Sequence, residues 1–274
     1  MGAALICAAL AAVLCGAAPR SAEAQTDPRV ADIDRFVRTA MAELATTPGL
    51  SIVVVDGDEA VMARGYGVAD VTTGRSVDAD TGFYIASATK SFTALAIASV
   101  AGRGAVDLDA PLASWTGDAG LAPELARSAS MTDLLSHTSG LDNDPIAFRA
   151  AYSGDHDAAV MRGLLARTTL RADAPHGVFS YSNAGYNLAT TLLQVRFGRD
   201  WRALVRDEVL APAGMSHTTA WVSEARRDGV VAAGHFGDQA GAVRVSPLQK
   251  VAATMQSGGG LVSSPHGMGR WVGV

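Results

Sequence analysis

Ser87-Ala88-Thr89-Lys90 places a hydroxyl and an amine three residues apart, at the start of an apolar run that extends to residue 100. Side chains three residues apart on a helix lie on the same face and can touch. A serine hydroxyl becomes a strong nucleophile when a neighbouring base takes its proton, and a desolvated lysine can be that base. This stretch therefore predicts nucleophilic chemistry at Ser87, with Lys90 as its partner.

Lysine is rare in this chain, since Lys90 and Lys250 are the only lysines among its 22 Lys and Arg residues. Arginine does not give up its proton in a protein, so a lysine is more informative here than in a lysine-rich chain. A serine three residues before a lysine also arises by chance, so its context matters. The serine falls at a predicted helix start, and residues 91–100 are apolar on nearly all sides, which indicates a central helix.

The composition indicates a globular protein with a substantial core. Hydrophobic residues make up 49% of the 274 residues, and the formal net charge is -5. The length allows one large domain or two closely joined lobes. An acidic chain without a Lys/Arg cluster is a poor binder of nucleic acid.

Residues 1–24 have the pattern of a signal peptide. Residues 3–18 form an apolar run too short for a comfortable transmembrane helix, and Ala22-Glu23-Ala24 gives a small-x-small cleavage pattern. No Lys or Arg precedes the run, so an uncleaved anchor is the alternative. Cys7 and Cys15 both lie in this segment. We therefore expect a periplasmic or secreted protein without disulfides after residue 24.

Residues 25–274 are predicted to form one α+β domain. Apolar residues at helical spacing predict a helix over residues 30–44, and two β-branched runs around the Asp56-Gly57-Asp58 turn predict a hairpin. Mostly helical patterns follow Ser87, at residues 131–136, 158–165, 184–197 and 201–210. We expect an antiparallel sheet with flanking helices in residues 25–86, a mainly helical part in residues 87–274, and a cleft between them.

A second chemical motif is Tyr181-Ser182-Asn183, in a polar turn before a predicted helix. Loops beside a helix start are good places for catalytic side chains. An ammonium such as that of Lys90 favours the deprotonated form of a nearby phenol, which would make Tyr181 a usable base. Asn183 offers a donor and an acceptor, suited to orient Lys90 or a substrate amide. The alternative is a structural turn in which Asn183 only caps the next helix.

Together these residues resemble the penicillin-recognising serine hydrolases, in the branch of class C β-lactamases, D-alanyl-D-alanine carboxypeptidases and related esterases. The similar segments occur in the family's order and span nearly all of residues 25–274; they are residues 83–91, 106–111, 134–141, 181–183 and 258–264. The second motif separates this branch from class A enzymes, which carry Ser-Asp-Asn there. The resemblance implies a β-lactamase/transpeptidase-like fold.

The resemblance also implies the catalytic roles. Ser87 would be the acylated nucleophile, Lys90 its base or proton relay, and Tyr181 the general base for attack and the acid for the leaving group. Asn183 would orient the substrate, and the backbone N–H of Ser87 would form half of an oxyanion hole. The substrate would be an amide, a β-lactam or an ester, cleaved through an acyl-enzyme. The alternative is a catalytically inactive fragment, or a non-catalytic binding or sensor domain with the same fold.

The family's third motif, Lys-Thr-Gly or a His-x-Gly variant after residues 258–260, is not found. His235-Phe236-Gly237 has the letters but precedes that segment, and the His266-Gly267-Met268 stretch lacks them. We therefore expect a chain truncated at its C-terminus, in which the closing strands of the sheet are missing. The hairpin would then have an exposed edge and an uncovered apolar face, and the chain would be weakly active or inactive and prone to aggregate.

The histidines do not point to a metal or to a different mechanism. His137 in His-Thr-Ser-Gly could pair with Ser139 as a Ser-His couple, but the resemblance favours a structural role. No paired spacing for zinc is found among the others, His156, His176, His217, His235 and His266. No Gly-x-Ser-x-Gly elbow is present, which disfavours an α/β-hydrolase. We expect no metal or cofactor, no nucleic acid, and no membrane contact beyond the possible anchor, so the partner is a small-molecule or peptide substrate.

Overall fold

Helices and short antiparallel strands give the described residues an α+β architecture. The computed structural model describes residues 28–44, 46–116, 120–142, 144–152, 156–238 and 240–273. The predicted signal peptide at residues 1–24 lies outside them. The helices are α1 (Pro28–Glu43), α2 (Thr89–Gly102), α3 (Ala113–Thr116), α4 (Pro123–Ser128), α5 (Met131–Ser136), α6 (Asp144–Tyr152), α7 (Ala158–Leu165), α8 (Asn183–Phe197), α9 (Trp201–Val205), α10 (Val222–Asp228) and α11 (Pro265–Val272). The strands are β1 (Gly49–Asp56), β2 (Glu59–Asp70), β3 (Arg75–Ser76), β4 (Phe83–Tyr84), β5 (Thr218–Thr219), β6 (His235–Gly237), β7 (Val243–Val245) and β8 (Val262–Ser263).

The predicted hairpin is confirmed as β1 and β2, which pair antiparallel and are longer than the sequence pattern indicated. Gly57 in the turn has φ of +60°, a left-handed conformation that glycine adopts without a Cβ penalty. The strand β3 adds to the other edge of β2, giving the order β1-β2-β3. One face of this sheet packs on α1, where Val30 and Val37 form a small core with Met62 and Tyr66.

The expectation of an uncovered apolar face on the hairpin is wrong. Helix α11 contacts both β1 and β2. Its Gly269 lies against Val53 and Ala60, whereas Ile52 and Val54 pack with the α1 core. Successive side chains of a strand point to opposite faces, so α1 and α11 cover the two faces of the same hairpin. A short helix therefore buries the surface that was expected to lack neighbouring strands.

The helical part is built around α2 and α8. Phe92, Ala96 and Ile97 of α2 are fully buried, as its apolar sequence predicted. Ten consecutive residues of α8 are buried as well, from Ala184 to Leu193. Both helices contribute side chains to the largest hydrophobic cluster of the described residues, and α8 also buries the polar residues Asn187, Thr190 and Thr191.

A second small sheet brings the start of α2 to a distant part of the chain. Strand β8 pairs antiparallel with β4 on one side and with β5 on the other. The N–H of Ile85 also donates to the carbonyl of Leu261 at 3.1 Å. These two-residue strands were not predicted, because their pairing joins segments far apart in sequence. They hold residues 85–87 beside the glycine segment at residues 258–260.

Candidate active site

Ser87 lies in a 3-10 turn, Ala86–Ala88, between β4 and the first residue of α2. Ala86 has φ of +45°, in the left-handed region that costs a residue with a Cβ about 1–2 kcal/mol. Such strain persists where the surrounding structure enforces it, and here β4 and α2 fix the chain on both sides. The turn leaves the side chain of Ser87 exposed to solvent.

Lys90 lies one turn below Ser87 and is only 6% exposed. Its ammonium donates to Ser87 Oγ at 3.3 Å, to Asn183 Oδ1 at 2.6 Å and to the Gly258 carbonyl at 2.6 Å. An ammonium has three donors, so these acceptors satisfy all of them. Burial lowers the pKa of Lys90, while its interaction with Tyr181 opposes that shift. Lys90 is thus held as a buried amine next to the serine hydroxyl.

Tyr181 reaches the same serine from a loop about ninety positions further along the chain. Its Oη lies 2.5 Å from Ser87 Oγ, and either oxygen can be the donor. The Lys90 Nζ lies 4.7 Å from the centroid of the Tyr181 ring, so the ammonium also faces its aromatic face. The side chain of Tyr181 is 45% exposed. The side chains of Ser87 and Tyr181 are therefore accessible to solvent, whereas Lys90 beneath them is buried.

Asn183 is placed by the start of α8, where the Ser182 side chain accepts from the N–H of Gly185 at 3.0 Å. The alternative in which Asn183 only caps the next helix is wrong, because Ser182 is the cap and Asn183 is the first helical residue. Its Oδ1 accepts from Lys90 and lies 3.5 Å from Tyr181 Oη. The structure brings all four predicted site residues, Ser87, Lys90, Tyr181 and Asn183, into one cluster.

Two residues of this cluster were missed by the sequence analysis. The Gly258 carbonyl is the third acceptor of Lys90, and the Gly258 N–H donates to Asn187 Oδ1 at 3.2 Å. Asn187 lies one helical turn after Asn183, and this spacing is a signal that could have found it. Gly258 acts through backbone atoms, which the residue type does not reveal.

His137 contacts residues 180–182, the segment that carries Tyr181 and is called the tyrosine loop below. Its Nδ1 accepts from the N–H of Ser182 at 3.1 Å, and its ring lies 4.7 Å from that of Tyr181. Ser139 is buried, and its Oγ accepts from the N–H of Leu141. These contacts fit the structural role expected for His137 rather than a couple with Ser139.

The two stretches considered for the third motif lie elsewhere in the fold. His235–Gly237 is strand β6, paired with β7, and His235 Nε2 accepts from the N–H of Val71 at 3.2 Å. His266 lies in the first turn of α11, with Nδ1 2.8 Å from Asp80 Oδ1. No group of three or more His, Cys, Asp or Glu residues in the described part of the chain could hold a metal ion.

Among the described residues, no helix has the length and apolar character needed to cross a membrane.

Known proteins with similar sequences and structures include hydrolases and penicillin-binding proteins. The hydrolase of unguisins from Aspergillus violaceofuscus is 31% identical, with the match covering 74% of this chain and 36% of that protein. The D-alanyl-D-alanine carboxypeptidase/endopeptidase AmpH of Escherichia coli is 28% identical, over 95% of this chain and 67% of AmpH. The chain thus spans about a third of the first relative and two thirds of the second.

An octameric penicillin-binding protein homologue from Pyrococcus abyssi has the same fold, with a TM-score of 0.75 at 24% identity. That superposition covers 89% of this chain and 55% of the archaeal one. The model of the β-lactamase family matches residues 33–274. The predicted β-lactamase/transpeptidase-like fold is therefore confirmed, and the chain belongs to the β-lactamase family.

Proposed function

We propose that this chain is a serine hydrolase that cleaves an amide, a β-lactam or an ester through a covalent acyl-enzyme on Ser87. The observation that carries the proposal is the position of Ser87 Oγ, 2.5 Å from Tyr181 Oη and 3.3 Å from Lys90 Nζ. A nucleophile within hydrogen-bond reach of its base, with the base oriented by a third group, is the signature of an activated hydroxyl.

In the acylation step, Tyr181 as phenolate takes the proton of Ser87 while the serine oxygen bonds to the substrate carbonyl carbon. The bond from that carbon to the leaving nitrogen or oxygen then breaks, and Tyr181 returns the proton to the leaving group. The Lys90 ammonium lies 4.7 Å from the centroid of the Tyr181 ring, so its positive charge faces the group that takes the proton. Tyr181 thus ends the step in the form in which it began, with one proton moved from Ser87 to the leaving group.

In the deacylation step, a water oxygen bonds to the ester carbonyl carbon and loses a proton to Tyr181. The bond from that carbon to Ser87 Oγ then breaks, Tyr181 returns the proton to Ser87, and the acid product leaves. The Lys90 ammonium donates to Ser87 Oγ at 3.3 Å, so it can also relay the proton by giving one to Ser87 and taking one from Tyr181. Asn183 and Gly258 keep the amine in place through bonds of 2.6 Å each. The backbone N–H of Ser87, just before α2, is suited to bind the oxyanion of both tetrahedral intermediates.

The competing proposal is a binding or sensor domain with the same fold, or an inactive fragment. The relatives with hydrolase names are longer than this chain, and AmpH is 67% covered. In either alternative the cluster around Lys90 would stabilise the fold while Ser87 stays unacylated. Export to the periplasm or the medium is part of our proposal and depends on residues 1–24, outside the described part.

The test is covalent labelling of the purified chain with a fluorescent penicillin and with a fluorophosphonate probe. We expect labelling at Ser87, located by mass spectrometry of the peptide, and none in Ser87→Ala. The matched control is Ser91→Ala, because Ser91 is an exposed serine in the first turn of α2 whose hydroxyl donates to the Ala88 carbonyl at 2.8 Å. A folded wild-type chain that neither probe labels would favour the binding-domain alternative. The probe that reacts separates lactam-like substrates from esters.

A further inference from the structure

His137 has a backbone conformation that few residues with a side chain adopt. It follows α5 as its C-terminal cap with φ of +65°, and its N–H donates to the Asp133 carbonyl. Glycine is the usual residue at a left-handed helix cap, because it carries no Cβ. A histidine at this position points to a use for its side chain.

His137 forms hydrogen bonds with the residues immediately before and after Tyr181. Its carbonyl accepts from the N–H of Ser180 at 2.8 Å, and its Nδ1 accepts from the N–H of Ser182 at 3.1 Å. Its ring lies against the ring of Tyr181, with the centroids 4.7 Å apart and the planes inclined by 35°. One residue therefore fixes the backbone before and after the tyrosine and also supports its ring.

We propose that His137 is the positioning residue for Tyr181, and that it performs this role only as the neutral imidazole. The proposal rests on the proposed function, in which Tyr181 is the base. Because Nδ1 accepts the Ser182 N–H, the ring proton is on Nε2. A protonated imidazole carries hydrogen on both nitrogens, so the Ser182 N–H would lose its acceptor and the tyrosine loop would be released.

The groups that face the imidazole favour its neutral form. Lys90 approaches from α2, and burial together with the Lys90 charge lowers the pKa of His137. From α8 the facing group is the ring of Tyr186, 5.4 Å away, and from the tyrosine loop it is Tyr181. On α5, Asp133 is directed to His176 and Thr138 instead. The pKa of His137 is therefore lower than that of a free histidine, so a more acidic pH is needed to protonate the imidazole.

The experiment compares the rate constant for labelling Ser87 in wild type, His137→Asn and His137→Ala, from about pH 5 to about pH 8. Asparagine tolerates the left-handed conformation, and its Oδ1 can accept the Ser182 N–H without titrating. We expect the labelling rate of wild type to fall toward acid pH with one more ionisation than that of His137→Asn. At neutral pH the rate of His137→Asn should stay within about threefold of wild type.

His137→Ala should be slower by about tenfold or more at every pH, while its circular dichroism shows that it keeps its fold. Equal rates and equal pH profiles for wild type and His137→Ala would overturn the proposal.

A second measurement does not depend on activity. The ¹⁵N-edited NMR signal of the Ser182 amide should shift as His137 titrates in wild type and should stay constant in His137→Asn. If the wild-type chain is not labelled at all, the proposed function fails, and this titration still decides whether His137 holds the tyrosine loop. If the Ser182 amide signal does not change as His137 titrates, His137 does not hold the tyrosine loop and the proposal is wrong.

Discussion

The ammonium of Lys90 can be buried because each of its three N–H donors has an acceptor. Removing an ammonium from water is costly unless it is fully hydrogen-bonded. Asn183 and Gly258 supply two bonds of 2.6 Å, and Ser87 supplies a longer one of 3.3 Å. In the proposed mechanism, the longest of the three bonds, the one to Ser87, is the one that must change. The amine is therefore anchored by two groups, Asn183 and Gly258, that neither gain nor lose a proton in the proposed mechanism.

Tyr181→Phe removes one oxygen and leaves the ring packing on His137 in place. If Tyr181 is the general base, the rate constant for acylation of Ser87 should fall by about 10²- to 10⁴-fold. Labelling kinetics with the fluorescent probe measure this directly. The matched control is Tyr152→Phe, since Tyr152 is a partly exposed tyrosine of α6 at 40% exposure. An unchanged rate in Tyr181→Phe would show that another group takes the proton of Ser87.

The sequence predicted side chains of this site better than its backbone groups. Ser87 and Lys90 could be paired because their spacing is local and helical periodicity alone brings them together. Tyr181 and Asn183 required the chemistry of a phenol and an amide together with a family resemblance. Gly258 was missed, because a carbonyl acceptor leaves no mark in the residue type. Asn187 was missed because its partners, the Ser257 hydroxyl and the Gly258 N–H, come from a segment about seventy positions away.

At the scale of elements, α1 is fastened to the hairpin by one carboxylate. Asp34 accepts from Arg38 Nε at 2.8 Å, from Arg64 Nη1 at 2.8 Å and from Tyr66 Oη at 2.9 Å. Arg38 lies on the same helix, whereas Arg64 and Tyr66 belong to β2. The hydrogen bond from Arg38, followed by that from Tyr66, lowers the pKa of Asp34. The ionised carboxylate therefore joins helix and sheet.

Asp34→Asn should destabilise the fold at neutral pH, and the difference should shrink in acid. The pKa of Asp34 is lower in the folded chain than in the unfolded one, so its contribution is complete above the unfolded value near 3.8. That contribution is lost as the pH falls through the folded pKa. Urea unfolding of both proteins at neutral and acid pH measures the difference in free energy.

The control for Asp34→Asn is Asp32→Asn on the same helix. Asp32 bonds to Arg35 at 2.5 Å, and both side chains are more than 70% exposed. Exposed ion pairs contribute little, so this variant should unfold like wild type. An equal effect from the two substitutions would mean that the contacts of Asp34 with β2 do not hold α1.

Elements with a local signal were predicted, and elements built by distant pairing were not. The predicted helices at residues 131–136 and 158–165 match α5 and α7, because amphipathic spacing and capping are local. The predicted helix at 201–210 is α9 followed by a π-helical turn, Arg206–Leu210. The strands β4, β5 and β8 are two residues each, and only their tertiary pairing makes them strands.

At the scale of the whole molecule, α11 joins the sheet to the helical core. Gly269 of α11 lies on Val53 and Ala60 of the hairpin. Two residues later, the Trp271 ring stacks on Phe92 of α2, with the centroids 3.9 Å apart and the planes inclined by 26°. Phe92 is fully buried and lies two residues after Lys90. This helix therefore connects the hairpin to the helix that carries the candidate lysine.

Trp271→Ala should weaken the whole fold and not only the end of the chain. Truncating a large aromatic side chain in a core costs about 3–5 kcal/mol, and the partial burial of Trp271 reduces the expected loss to roughly 2 kcal/mol. Because α11 contacts both parts, circular dichroism and tryptophan fluorescence should still report one unfolding transition, shifted to lower urea. Trp271→Phe should recover part of the loss, since it can still stack on Phe92.

The control is Val272→Ala, because this side chain is 60% exposed and its truncation should change the free energy of unfolding little. If Trp271→Ala leaves the midpoint unchanged, or splits the transition in two, then α11 rests on the sheet without connecting it to the core, and the hairpin and the helical part are held together by other contacts.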